Sequence, residues 1–159
     1  MVIALQIVGV LGFVISLINS SYTLISHRVR LVVRLDEVRT TSKNSRGEYL
    51  ESLLITFENK SQLPIAVTGL TLIINNKRYR PTRFQFPVLT LSGETYNATE
   101  QNQVLPIQIQ SLGAYIGYLS YSVPLADSPS TAQELTVEIQ TNRKKPFLRV
   151  LQTGNYKGH

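Results

Sequence analysis

The chain opens with a long run of apolar residues. From Val2 to Ile18 only Gln6 is strongly polar, and a helix needs about 20 mostly apolar residues at 1.5 Å each to cross a bilayer. The run reaches that length if it continues through Tyr22 toward Ile25, which would place the tyrosine ring near the headgroups. The pattern predicts a transmembrane anchor over residues 1–26.

Two other interpretations of this run stay open: a cleaved signal peptide, and a buried helix or strand of the following domain. A signal peptide typically begins with basic residues and ends at a small-x-small site, whereas no Lys or Arg precedes Arg28 here. Basic residues near a span stay on the cytoplasmic side. Since they all follow the run, the prediction is a single-pass membrane protein with its N-terminus outside and its β-domain in the cytoplasm.

Small residues recur every four positions within the run, at Gly12, Ser16 and Ser20. On a helix this spacing places them in one stripe, where the backbone of a second helix can approach closely. The stripe predicts a helix–helix interface, with a second copy or with another protein. The alternative is that Gly and Ser are simply frequent in such helices.

After the run, apolar and polar residues alternate as they do in half-buried β-strands. Leu31, Val33 and Leu35 share one parity, and the same alternation recurs over Tyr49–Phe57 and Glu134–Gln140. Further strands are predicted over Ile65–Ile74, Lys77–Phe84, Phe86–Leu91, Val104–Gln110, Tyr115–Val123 and Phe147–Leu151. The pattern therefore indicates a domain built from short strands.

The apolar positions change parity around Gly69. Val67 precedes the glycine and Leu70 follows it with the opposite parity, and one inserted residue lets a strand keep its apolar side inward. The shift predicts a β-bulge at Gly69. Directly afterwards, Asn75 and Asn76 predict a tight hairpin, because asparagine tolerates positive φ better than most residues.

Short strands separated by turn residues, with no helical period after residue 26, predict a mainly β fold. We expect a transmembrane helix (1–26), an antiparallel immunoglobulin-like β-sandwich (27–153) and a C-terminal tail (154–159). In this architecture, and in the asparagine turn that leads into Pro-Ile within Asn59–Val67, the chain resembles short bacterial single-span membrane proteins with an immunoglobulin-like β-sandwich of unknown function. The resemblance implies the fold and supplies no catalytic residue.

The residue inventory argues against catalysis. The chain has no Cys and only two His, and His27 and His159 lie outside the predicted core, so a Ser-His or Cys-His pair lacks a base. Asp36 and Glu37 are the only adjacent acidic pair, and successive strand residues face opposite sides. We therefore predict that the chain is not an enzyme and has no catalytic residue, metal site or cofactor.

The net charge of +6 permits attraction to anionic lipid or nucleic acid. Arg28, Arg30 and Arg34 follow the apolar run directly and are predicted to contact the membrane surface. A second basic set follows Asn76: Lys77, Arg78, Arg80 and Arg83. This set is a candidate contact for an anionic ligand, with a solvated hairpin face as the alternative.

These patterns predict a noncatalytic, membrane-anchored interaction protein, a subunit or adaptor that binds a protein partner at the cytoplasmic membrane face. The expected partners are membrane lipid and either another protein or a second copy, bound through the anchor or an exposed sheet edge. The alternative function is a binding module for anionic lipid or nucleic acid through the basic hairpin, with nucleic acid the less favoured ligand.

Overall fold

The fold is mainly β, with one N-terminal helix and antiparallel sheets. The computed structural model describes residues 2–26, 28–43, 48–92, 95–128 and 134–152; the predicted tail lies outside them. The elements in chain order are α1 (Val2–Ser26), β1 (Leu31–Lys43), β2 (Glu48–Asn59), β3 (Ile65–Ile74), β4 (Lys77–Tyr79), β5 (Pro87–Ser92), β6 (Thr95–Gln101), β7 (Ile107–Ile109), β8 (Ala114–Pro124), a 3₁₀ turn (Leu125–Asp127), β9 (Glu134–Thr141) and β10 (Lys144–Gln152).

The helix α1 forms where the apolar run predicted one, but the prediction of a membrane span is corrected. Among the residues that the structure describes, no helix is both long enough and apolar enough to cross a membrane. A span needs about 20 mostly apolar residues, and the C-terminal part of α1 contains the polar residues Asn19, Ser20 and Ser21. These residues shorten its apolar stretch.

Two antiparallel sheets supply a shared core. One has the order β1-β2-β8, and the other has the order β10-β9-β3-β4 with β7 also paired to β3. Buried side chains from both sheets, such as Phe57 on β2 and Val137 on β9, belong to one hydrophobic cluster. Tyr121 on β8 is fully buried, and its hydroxyl donates to the Leu70 carbonyl on β3 at 3.1 Å. This hydrogen bond links the two sheets.

Both turn features of the β3 region form as predicted. The register between β3 and β9 shifts between Val67 and Gly69, which is the predicted bulge. Asn75 and Asn76 have φ of 49° and 63°, and a two-residue hairpin turn of type I′ requires positive φ at both positions. A Cβ on Gly69 would lie 2.9 Å from Oε1 of Gln140, so the glycine lets this side chain lie across the bulge.

Three strands differ from the prediction. β4 and β7 are three residues each, shorter than the predicted Lys77–Phe84 and Val104–Gln110, and β6 was not predicted. The buried Asn102 holds the chain after β4 in a loop: its amide donates to Thr82 Oγ1 at 3.1 Å and to the Phe84 carbonyl at 3.0 Å. The second bond satisfies a backbone carbonyl that a longer β4 would have paired in a ladder.

Candidate functional site

The described side chains of α1 are exposed on every side of the helix. All residues from 9 to 23 are exposed, and the apolar ones range from 44% for Val14 to 65% for Phe13. The set comprises Val10, Leu11, Phe13, Val14, Ile15, Leu17 and Ile18. A helix that is apolar all round is normally buried, and the described part of the chain leaves residues 9–23 of α1 uncovered.

The predicted small-residue stripe lies in one shallow groove along α1. Gly12, Ser16 and Ser20 line this groove together with Ile15 and Asn19. A Cβ added to Gly12 would meet no atom within 4 Å. The structure therefore brings the three predicted interface residues together on one open face.

The C-terminal part of α1 meets the β-domain at a basic hollow. Gln62 Nε2 donates to the Tyr22 hydroxyl at 3.4 Å, and the hollow beside them, of about 180 Å³, is lined by Arg28, Arg30 and Lys60 among others. All three basic residues are exposed. Two of the three predicted membrane-surface residues therefore lie together at the base of the helix.

The third predicted membrane-surface residue is engaged elsewhere. Arg34 on β1 forms an ion pair with Glu58 on β2, and Lys60 Nζ lies 3.6 Å from the other oxygen of the same carboxylate. Because opposite charges this close offset one another, Arg34 offers less free charge to a lipid surface than Arg28 and Arg30 do.

Lys77, the first residue of the predicted basic hairpin set, binds a buried carboxylate. Asp127 is 2% exposed and accepts hydrogen bonds from Lys77 Nζ at 2.8 Å, Asn75 Nδ2 at 2.7 Å and Tyr79 OH at 2.5 Å. These donors, Lys77 first, lower the pKa of Asp127 from 3.8 to about 2. Burial, and then the bond to Asp127, raises the pKa of Tyr79 to about 12. The cluster fixes the hairpin against the 3₁₀ turn.

This cluster predicts an acid-sensitive contribution to stability. Because the pKa of Asp127 is lowered in the fold, its contribution is present above its ordinary value of 3.8 and is lost as pH falls toward about 2. Chemical denaturation at several pH values should show that the free energy of unfolding falls more steeply between pH 4 and pH 2 in the wild type than in Asp127→Asn. Parallel curves for the two proteins would contradict the role given to this carboxylate.

The other three residues of the basic hairpin set lie in two different environments. Arg78 Nη2 lies 3.1 Å from Oε2 of Glu138 on β9 and forms an ion pair. Arg80 and Arg83 instead line a pocket of about 270 Å³ together with Gln140 and other residues. The structure therefore keeps two of the four predicted anionic-ligand contacts in one recess and engages the other two in ion pairs.

The tyrosines of β8 are buried or half-buried. Tyr118 and Tyr121 are buried, and Tyr115 is half-buried against the core, so none of the three offers a fully exposed ring for a protein contact. Tyr118 OH donates to Glu37 Oε2 at 3.1 Å, and the Arg39 guanidinium carbon lies 5.0 Å from the Tyr118 ring centre. Burial raises the pKa of Tyr118.

Exposed sheet edges are the second predicted interaction route, and loop backbone covers only some of these edges. Thr82 N donates to the Ser120 carbonyl at 2.8 Å and Gln103 N to the Tyr118 carbonyl at 2.6 Å, so loop backbone occupies part of the outer edge of β8. Within the described chain, β1 pairs only with β2, and β10 only with β9. An unpaired edge is a template for strand addition, which makes β1 and β10 the candidate edges.

The described residues include no cluster of potential metal ligands. Within the described part of the chain, no group of three or more His, Cys, Asp and Glu side chains could hold a metal ion. Both histidines, His27 and His159, lie outside that part. The expectations of no catalysis, no metal and no cofactor therefore stay predictions.

Comparisons with known proteins give no family for the chain. No family model matches it, and no curated protein does. Among solved structures, the X-ray structure of Northeast Structural Genomics Consortium target SoR45 is similar at a TM-score of 0.31 with 15% sequence identity, covering 83% of this chain and 89% of that one. Function must therefore be argued from the chain's own surfaces.

Proposed function

We propose that the chain is a noncatalytic interaction protein, a subunit or adaptor that binds a protein partner through its N-terminal helix. One observation carries this proposal: the apolar side chains of α1 are exposed on every side, whereas the hydrophobic core is built from the residues that follow it. The exposed apolar surface of the helix is thus available to bind another molecule.

The energetics favour a covered helix. Burying one Val, Leu, Ile or Phe side chain contributes about 1.5–3 kcal/mol, and α1 exposes several of them, including Phe13, Ile15 and Ile18. Association costs about 4–15 kcal/mol in lost freedom of motion, and burial of several of these side chains together offsets a large part of that cost.

The groove on α1 favours a helical partner. Gly12, Ser16 and Ser20 leave room for a second backbone, and small residues at this spacing support close helix–helix contact. Asn19 borders the same groove, and its side-chain amide can hydrogen-bond across such a contact. These features support the predicted helix–helix interface, with either a second copy or another protein.

The strand order supports the finer part of the fold prediction, an immunoglobulin-like β-sandwich. In that fold, strands A, B and E share one sheet and strands C, F and G share the other. The order β1-β2-β8 corresponds to A-B-E, and β10-β9-β3 corresponds to G-F-C. Domains of this architecture commonly serve as binding modules, which agrees with an adaptor role and does not identify the partner.

The predicted location is the cytoplasmic face of a membrane, with the N-terminus outside. Its support is the exposed pair Arg28 and Arg30 in the hollow at the C-terminal end of α1, since each Lys or Arg near an anionic lipid surface gains about 1 kcal/mol. The predicted orientation, with the N-terminus outside, requires a spanning helix, which the described residues do not provide, so the proposal keeps the membrane face and not the orientation.

The proposed function is tested by purifying the full-length protein from its native cells in a gentle detergent, washing at high salt, and identifying the bound proteins by mass spectrometry. An apolar helix contact should survive the wash, because salt screens charges and leaves hydrophobic burial intact. One stoichiometric protein partner, or a defined homo-oligomer, is the expected result. A lone monomer would contradict the proposal.

A further inference from the structure

We propose that the pocket lined by Arg80 and Arg83 binds a phosphate group carried by a small molecule or by a lipid headgroup. The pocket lies in the β-domain, on residues separate from those of α1. The proposal therefore adds a ligand to the proposed protein-binding function and does not depend on it.

The pocket is formed where the β3 bulge, the loop after β4 and the segment before β7 meet. Its lining includes Thr68, Gly69, Thr71, Arg80, Thr82 and Arg83. Its volume of about 270 Å³ is below the range of about 300–1,000 Å³ typical of sites for drug-sized ligands. The space suits a phosphate group with a small substituent.

The charge of the lining is positive. Arg80 and Arg83 both line the pocket, and the described lining residues include no Asp or Glu. The neighbouring carboxylate, Glu138, already accepts from Gln140 Nε2 at 3.4 Å and pairs with Arg78 at 3.1 Å. A guanidinium donates two parallel hydrogen bonds to phosphate oxygens, so a pair of arginines in one recess favours that group.

Uncharged donors complete the site. Thr82 Oγ1 accepts a hydrogen bond from Asn102 Nδ2 at 3.1 Å, which leaves the hydroxyl proton of Thr82 available to donate to a ligand. Thr68 and Thr71 also line the pocket and carry hydroxyl donors. Phosphate oxygens accept several hydrogen bonds at once, so these hydroxyls match the chemistry that the arginines select.

The loop that carries both arginines is held in place from inside the domain. Thr82 N donates to the Ser120 carbonyl at 2.8 Å, and the buried Asn102 also donates to the Phe84 carbonyl at 3.0 Å. Asn102 Oδ1 accepts from Phe86 N at 2.7 Å. A loop fixed in this way loses little freedom when a ligand binds, which favours affinity.

The same geometry disfavours a nucleic acid as the ligand. A nucleic-acid strand needs a positive track that follows several successive phosphates. Beside the pocket, that track is interrupted, because Lys77 is paired with Asp127 and Arg78 with Glu138. The two remaining arginines line one recess, whose volume of about 270 Å³ fits one phosphate group.

The test is a titration of the chain with inorganic phosphate in nonionic detergent. NMR signals of the protein backbone and of the threonine methyl groups report the binding. Saturable shifts should centre on Thr71, Thr82 and Gly69 in the wild type. In Arg80→Ser/Arg83→Ser the affinity should fall by about tenfold or more, since two charge-assisted contacts are lost. The matched control, Lys145→Ser/Arg149→Ser, removes two exposed charges from β10 and should bind as the wild type does.

Vesicles of phosphatidylcholine with and without phosphatidic acid distinguish the two sources of phosphate. Arginine-dependent preference for phosphatidic acid would support a lipid headgroup; phosphate binding without that preference would support a soluble phosphorylated compound. The proposal is overturned if phosphate gives no saturable shifts, or if both double variants lose binding equally. It is also overturned if oligothymidine binds through these arginines and phosphate does not.

Discussion

Replacing Asn59 with alanine is expected to lower the free energy of unfolding by about 3 kcal/mol, because several buried hydrogen bonds are lost together. Asn59 is 1% exposed at the end of β2. Its amide nitrogen donates to the carbonyls of Leu63 and Gln110, each at 2.9 Å, and its Oδ1 accepts from Ser61 N at 3.0 Å. The side chain thus joins the turn after β2 to the segment after β7.

Two further variants serve as comparisons, and urea denaturation measures the free energy of unfolding of each protein. Asn59→Asp keeps the shape of the side chain but sets a carboxylate oxygen against the carbonyls of Leu63 and Gln110, so it should destabilise at least as much as alanine. Gln108→Ala, on the exposed side of β7, should change stability by less than about 0.5 kcal/mol. Near-wild-type stability of both Asn59 variants would show that this network does not hold the domain together.

Filling the groove on α1 should strongly weaken partner binding while the chain stays folded. Leucine at both Gly12 and Ser16 occupies the space that a second helix would use, and overpacking costs about 1–3 kcal/mol at each site. The affinity for the partner should therefore fall by about tenfold or more. Leucine favours helix more than glycine or serine does, so the loss cannot come from unfolding of α1.

The matched control places leucine at Val10 and Val14, which do not line the groove. Binding by the wild type, the groove variant and the control is compared by the salt-washed purification, with circular dichroism to confirm that the helix content is unchanged. The control should retain its partner. If the groove variant retains its partner as well, a different face of α1 makes the contact.

The sequence predicted those parts of the fold that depend on neighbouring residues. The bulge at Gly69 followed from a parity change within one strand, and the hairpin at Asn75 and Asn76 followed from the backbone preference of asparagine. The strand Glu134–Gln140 followed from strict alternation and is observed as β9. Each of these signals is contained in a few consecutive residues, so each was readable without the rest of the chain.

The polar clusters could not be predicted because their members are distant in the chain. Asp127 meets Lys77 across 50 positions, and Asn102 meets Thr82 across 20. A lone Asp or Asn in a turn normally suggests a solvated side chain, and only the packed fold buries these two. For the same reason the basic hairpin looked like one set of four charges, although two of them are in ion pairs.

The apolar composition of α1 predicts its exposure but not the molecule that covers it. Its apolar residues predicted that α1 leaves the β-domain core, and the exposure of Phe13 and Ile15 agrees with that. The same residues also predict a membrane span, which the described residues do not support. Hydrophobicity predicts that another surface covers a helix. The shape of the helix surface, here the small-residue groove, indicates which kind of molecule that surface belongs to.

Photo-crosslinking in intact native cells, with benzoylphenylalanine placed singly along α1, identifies the molecule that covers the helix. At Ile15, which lines the groove, we expect a covalent adduct with one discrete protein, either the partner or a second copy. At Val14, which does not line the groove, that adduct should be weak or absent. Equal adducts at both positions, or lipid adducts alone, would contradict a protein partner bound along the groove of α1.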